Sequence, residues 1–177
     1  MNNKLLAVDS GWPCTFYEYQ RVLKTIGYSF DKIAWAIVTH FHMDHAGLIS
    51  EFINSGIMCF VFENQVDSID EMERVILKNK RYKGYPLIDK NRLVYTNVSD
   101  FGRVLEKLGI NGDVLVTNGH SPDSITYITD NKEAIIGDLY PPNLILDDDI
   151  KTIESWGKIR KKGIKKIYPG HAEVFDL

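Results

Sequence analysis

Five histidines occur among the 177 residues, and three of them, His40, His42 and His45, fall within six positions together with Asp44. The other two, His120 and His171, each follow a glycine at the end of an expected strand. Neutral imidazole suits zinc, iron, nickel and copper, while carboxylate adds charge and can bridge two ions. The cluster therefore points to a transition-metal site. As a purely structural feature, the same four polar residues would need separate burial partners at one strand end. In an extended strand end, His40 and His42 project to one side and share an ion, while a turn at Met43 lets Asp44 and His45 face a second position. The remaining ligands are expected from His120, Asp138 and His171, at C-terminal strand ends where α/β folds gather their sites.

The elements that must position these residues follow from hydrophobic period and turn residues. A strand is expected at Leu5 to Val8, ending at Asp9-Ser10-Gly11, then a helix from Pro13 to about Ile26. That helix buries Phe16, Val22, Leu23 and Ile26 and stops at Gly27. A strand from Ile33 to Val38 runs into the histidine cluster, followed by a helix from Ala46 to Asn54 and a buried strand from Ile57 to Phe62. A helix from about Gln65 to Asn79 precedes an irregular stretch, Lys80 to Asn91, which reads equally as a flap over a site or as a surface loop. Beyond it are a strand at Leu93 to Tyr95, a helix at Ser99 to Leu108, and strands at Asp113 to Thr117, Ser124 to Thr129 and Ala134 to Ile136. The Asp130-Asn131 turn suits an antiparallel hairpin. A helix from Ile150 to Lys162 leads to the strand Lys166 to Tyr168 and then to Pro169-Gly170-His171.

Composition narrows the class. With 44% apolar and 25% charged residues the chain reads as one globular domain over residues 1–177, large enough to bury a core without a structural metal. A net charge of -3 gives no bulk attraction to nucleic acid or to an anionic membrane. Cys14 and Cys59 are too few for a disulfide framework and read as buried free thiols. No apolar run approaches the roughly 18 residues that span a bilayer, and the start has no apolar leader, so a cytoplasmic location is expected.

Thr39-His40-Phe41-His42-Met43-Asp44-His45-Ala46-Gly47 resembles the signature of the metallo-β-lactamase superfamily. Gly119-His120-Ser121-Pro122, Gly137-Asp138 and Pro169-Gly170-His171 resemble its other metal-binding motifs, in order, and Val8-Asp9-Ser10-Gly11 resembles its early Asp-x-Gly turn. The resemblance implies an αββα sandwich, two mixed β-sheets flanked by helices. It implies that His40, His42 and His120 bind one divalent ion, that Asp44, His45 and His171 bind a second, and that Asp138 bridges them. Zinc is expected, with manganese or iron as alternatives. Asp9 would orient a ligand, Asp44 would handle the proton of the attacking water, and Tyr140, near the bridging aspartate, resembles the substrate-contacting tyrosine of the lactonase branch. The implied activity is hydrolysis of a small ester, lactone or thioester.

The match departs from the family pattern in two places. Only eight residues precede Asp9, where members carry further strands, so one sheet is expected to be shorter or to have its exposed edge covered in a homo-oligomer. Ser121-Pro122-Asp123 stands where Thr-Pro-Gly is usual. The alternatives weighed beside the hydrolase are a phosphodiesterase or nuclease of the same superfamily, a redox di-iron protein, and a metal-binding scaffold without turnover. The basic run Lys158 to Lys166 reads as a solvated helix end rather than a nucleic-acid patch. Trp35 and Trp156 read as packing residues, with Trp12 nearest the Asp9 loop.

Overall fold

The computed structural model describes residues 4–177, so the first three positions of the chain lie outside it. The chain divides into two compact units, Met1–Phe62 with Val66–Tyr95, and Glu63–Gln65 with Thr96–Leu177.

The first unit holds a four-stranded sheet in the order β1-β2-β3-β4, with β1 Leu5–Val8, β2 Ile33–Ile37, β3 Met58–Phe62 and β4 Val94–Thr96. β1 pairs with β2 and β2 with β3 in parallel, in registers such as Val8↔Ile37 and Ala36↔Cys59. Parallel strands are usually covered on both faces, and β3 accordingly runs apolar from Cys59 to Phe62. Helices α1 Phe16–Thr25, α2 Met43–Ala46, α3 Ile49–Asn54 and α4 Ser68–Lys78 complete the unit. Its core includes Ala36, Val38, Phe52, Ile69 and Ile76. Each fully buried side chain of the size of Phe52 contributes about 1.5–3 kcal/mol. Edge-on contacts of Phe30 with Phe16 (4.9 Å) and with Phe52 (5.5 Å) tie α1 to this core.

Four expectations are corrected here. α1 begins at Phe16, not Pro13, because Cys14 takes a left-handed conformation (φ 63°) that no helix continues through. Its packed face is Phe16, Tyr19 and Leu23, none of them fully buried, while Val22 and Ile26 are exposed. The single helix from Ala46 to Asn54 is two, with the break at Gly47: a Cβ there would lie 2.3 Å from the Pro13 nitrogen, so the Pro13 turn occupies the space. The same turn leaves the Cys14 thiol exposed rather than buried, whereas Cys59 is buried as expected. The stretch 80–91 contains two 3-10 turns and buries Tyr82, Tyr85 and Ile88. The Ser50 hydroxyl donates to the Leu87 carbonyl (2.9 Å), and the Ile88 amide donates to the Glu73 carboxylate (2.7 Å). The stretch is anchored in the core of its unit and is not a free flap.

The second unit holds a five-stranded mixed sheet, β5-β6-β7-β8-β9, with β5 Gly112–Val116, β6 Ile125–Thr129, β7 Glu133–Gly137, β8 Lys166–Pro169 and β9 Phe175–Asp176. All neighbours are antiparallel except β7 and β8, which run parallel and are linked by α6 Ile150–Lys161. The hairpin expected at Asp130-Asn131 joins β6 to β7, with Lys132 in the left-handed region. Helix α5, Val98–Lys107, buries Phe101 and Leu105. Trp156 is fully buried among Ile136, Leu139, Ile159 and Ile167. From the basic run, Lys158 donates to the Val116 carbonyl (2.9 Å) and Lys162 to the Asp113 carboxylate (2.6 Å). Those two cations therefore fasten α6 to its own sheet. No helix among the described residues is long and apolar enough to cross a membrane.

Candidate metal centre

In the first unit, the donor segment starts where β2 stops at Ile37. His40 to His42 are not part of a strand, and Asp44 and His45 lie on α2. This corrects the expectation of an extended strand end. A single helical turn, with the His45 and Ala46 amides both donating to the His42 carbonyl (3.0 and 2.9 Å), folds the segment so that its rings converge. The His40 ring centroid lies 4.4 Å from that of His42 and 4.2 Å from that of His45.

Asp9 holds this turn in place. It follows β1 directly and adopts a left-handed conformation (φ 67°), which costs on the order of 1–3 kcal/mol for a residue other than glycine. Its carboxylate accepts the Thr39 amide at 2.6 Å and receives His45 Nδ1 at 2.9 Å. The Thr39 hydroxyl lies 3.0 and 3.1 Å from the two Asp9 oxygens and 3.1 Å from His40 Nδ1. A hydroxyl has one proton, and a carboxylate only accepts, so Thr39 donates to Asp9 and accepts from His40 Nδ1–H. Both His40 and His45 then carry their proton on Nδ1 and present the Nε2 lone pair. Fixing the imidazole tautomer through its other nitrogen is the usual arrangement of a metal-binding histidine. Ser10 locks the base of the turn: its amide and hydroxyl donate to the His45 carbonyl (2.6 and 3.0 Å), and its oxygen accepts the Leu48 amide (3.1 Å).

In the second unit, three separated residues meet. Asp138 follows Gly137 (φ 57°) at the end of β7, and His171 follows β8. The Gly170 amide donates to the Gly137 carbonyl (2.8 Å), clipping the two strand ends together. His120 lies in the turn between β5 and β6, where a Cβ at Gly119 would lie 2.3 Å from Thr152 Oγ1. His120 Nε2 is 3.8 Å from one oxygen of Asp138, and His171 Nε2 is 3.6 Å from the other. These separations are too long for hydrogen bonds and leave room for ligand atoms that converge on ions. The donor set, imidazole nitrogens and carboxylates without thiolate, fits divalent zinc, iron or manganese.

Tyr140 is half-exposed, with its ring 6.3 Å from that of His120, and its carbonyl accepts the Trp156 indole N–H at 2.7 Å. A cavity of about 270 Å³ opens among His120, Asp138, Tyr140 and His171. Asp123 is buried and accepts from Ser121 Oγ at 2.6 Å, with Ser124 Oγ 2.7 Å from the same hydroxyl. Gln65 donates to the Asp123 carbonyl (3.3 Å). Side chains thus build the turn that positions His120.

The sequence reading missed Thr39, Ser10 and the Ser121-Asp123-Ser124 network as supports. Thr39 and Ser10 each adjoin a residue already singled out, which was the available signal. Asp9, singled out in the sequence, lies 2.9 Å from His45 Nδ1.

A family profile described as the metallo-beta-lactamase superfamily matches residues 2–171. The chain is 28% identical over 178 residues to a beta-lactamase-like protein 2 homolog of Caenorhabditis elegans, covering 98% of this chain and 54% of that protein. It thus spans about half the length of that curated relative. Among solved structures, a metallo-beta-lactamase family protein of Thermus thermophilus superposes with a TM-score of 0.72 at 17% identity, over 98% of this chain and 67% of the other. A protein crystallised in a di-iron-bound form gives 0.65 at 16% identity, over 96% and 82%. FIM-1 from Pseudomonas aeruginosa, in its mono-zinc form, gives 0.66 at 16%, over 99% and 75%.

Proposed function

The chain belongs to the metallo-β-lactamase superfamily, and from that premise we propose that it is a metal-dependent hydrolase of a small ester, lactone or thioester. In this reading the two units act as one domain. His40, His42 and His120 hold one divalent ion, Asp44, His45 and His171 a second, and Asp138 bridges them. Two such ions, when bound, would supply hydroxide near neutral pH and polarise the substrate carbonyl. The chain's own residues do the rest. Asp9 and Thr39 keep His40 and His45 in the Nδ1–H form, Asp44 orients the attacking water and takes its proton, and Tyr140 contacts the substrate oxygen.

The observation that carries this reading is His45: its Nδ1 lies 2.9 Å from the Asp9 carboxylate, the usual support of a metal-binding histidine. Zinc is the proposed ion and the cytoplasm the proposed setting. A homo-oligomer that covers the edge at β1 is proposed with it. The test is a hydrolysis screen over ester, lactone, thioester, β-lactam and phosphodiester substrates, before and after chelation and metal restoration. Chelator-sensitive turnover of an acyl substrate is expected. Turnover that survives chelation would overturn the assignment, and preferred cleavage of phosphodiesters would replace it with the nuclease reading.

A further inference from the structure

Helix α6 is apolar on two faces. One face, with Thr152, Ser155, Trp156 and Ile159, is buried in its own unit. At about 100° per residue the opposite face carries Ile150, Ile153, Glu154, Gly157 and Lys161. Ile150 and Ile153 are 57% and 44% exposed, and the segment that leads into the helix exposes Leu144 and Leu146 further, at 63% and 71%. Single exposed apolar residues are ordinary, whereas four large ones within residues 144–153 mark a surface for association. A helix that is apolar on both sides is one that is covered on both sides.

The middle of this face is open. Gly157 lies inside the helix, where glycine costs about 0.5–1 kcal/mol relative to alanine. A Cβ there would meet nothing within 4 Å. Packing inside the chain therefore does not account for this glycine, while a second helix crossing at that point gains a close approach from it.

Charge along the face changes sign. Asp147 and Asp148 precede the helix and Glu154 follows in its first half, whereas Arg160 and Lys161 stand in its last turn, all of them exposed. Lys158 and Lys162 are already engaged with the Val116 carbonyl and the Asp113 carboxylate. This polarity suits the helix's own dipole, but the dipole asks for no apolar stripe between the charges. A face that is acidic at one end, apolar along its length and basic at the other is complementary to itself when turned end for end, as a two-fold interface requires.

We propose that a second copy of this chain covers the face, with the two α6 helices packed antiparallel about a two-fold axis between Glu154 and Gly157. In that arrangement Ile153 packs over Gly157 of the partner subunit, and Glu154 meets Lys161 of the partner subunit. The axis repeats each contact, so each substitution acts twice. The interface lies on the second unit, apart from the β1 edge of the first, and does not rest on the hydrolase reading.

The experiment is sedimentation velocity on the full chain over a dilution series, with circular dichroism to confirm that each variant folds. A concentration-dependent dimer is expected. Ile153→Glu should raise its dissociation constant at least about tenfold, and so should Glu154→Lys and Lys161→Glu singly, because each sets like charges across the axis. The double variant Glu154→Lys with Lys161→Glu should return to within about threefold of the unaltered chain, since it exchanges the charges and keeps their complementarity. A monomer at every concentration overturns the inference, and 1-anilinonaphthalene-8-sulfonate fluorescence lost in Ile153→Glu would then assign the face to a different partner. A dimer that none of the substitutions weakens also overturns it and leaves the β1 edge as the interface. Weakening by the single reversals without recovery in the double variant overturns the antiparallel pairing.

Discussion

The two units gather the same kinds of donor by opposite means. In the first, the donors are contiguous, His40 to His45, and are folded inward by one helical turn pinned through Asp9, Thr39 and Ser10. In the second they come from three places far apart in sequence, Asp138 and His171 just past strand ends and His120 in the β5–β6 turn, and His171 keeps 57% of its side chain exposed. Local sequence preorganises the first group. Strand pairing places Asp138 and His171 in the second, through the Gly170–Gly137 clip and the parallel register of β7 and β8, while the hydrogen bonds of Ser121, Asp123 and Ser124 build the turn that carries His120. Donor orientation should therefore depend on individual hydrogen bonds in the first unit and, for Asp138 and His171, on sheet integrity in the second.

The largest expected effect is common to both units. His42→Ala or Asp138→Ala should each lower the kcat/KM of the proposed hydrolysis by the metal-restored protein by at least about 10²–10³, with circular dichroism unchanged. Retention of full activity in either variant would break the assignment.

Next comes the asymmetry. Asp9→Asn removes the charge and leaves one acceptor oxygen for the Thr39 amide and His45 Nδ1, which now use two, and should weaken metal affinity by about 10–100-fold, read by competition with a chromophoric chelator. Unchanged affinity would mean that the first group is not held by Asp9. A third test addresses the loop beneath α3. Glu73→Ala takes away the acceptor of the Ile88 amide and should destabilise the protein by about 1–3 kcal/mol. Hydrogen exchange should speed most at residues 80–91, and uniform acceleration would contradict the anchoring role.

The smallest effect is electrostatic. Burial pushes the Glu51 carboxyl above its ordinary value of 4.5, so folding favours its protonated form. The resulting penalty is absent below the unfolded-state pKa and grows as pH rises through the folded one. Glu51→Gln should therefore raise stability at pH 7 by no more than about 1 kcal/mol and leave it unchanged near pH 3. An equal gain at both pH values would locate the effect in packing instead.

Much of this was legible in the sequence because residue type and period carry it. β1 has the bounds read from Leu5 to Val8, Gly27 ends α1 in the left-handed region, and the hairpin after β6 turns where Asp130-Asn131 stands. What was not legible depends on tertiary fit. Nothing in the residue type marks Cys14 as left-handed, so the start of α1 was placed too early. Between α2 and α3, Gly47 stands where Pro13 leaves no room for a side chain. β9 is two residues long and is defined only by its pairing with β8. The donor residues were visible by type, but their supports were less so, since Thr39 and Ser10 act through hydrogen bonds to residues some 30 positions or more away.

The most direct test of the central claim is metal stoichiometry, measured by plasma mass spectrometry on the full chain after zinc reconstitution and gel filtration, beside His42→Ala and Asp138→Ala. Two ions per chain, with fewer in both variants, is the predicted result. No retained metal, or the same content in the variants as in the unaltered chain, would contradict a centre built from both donor groups.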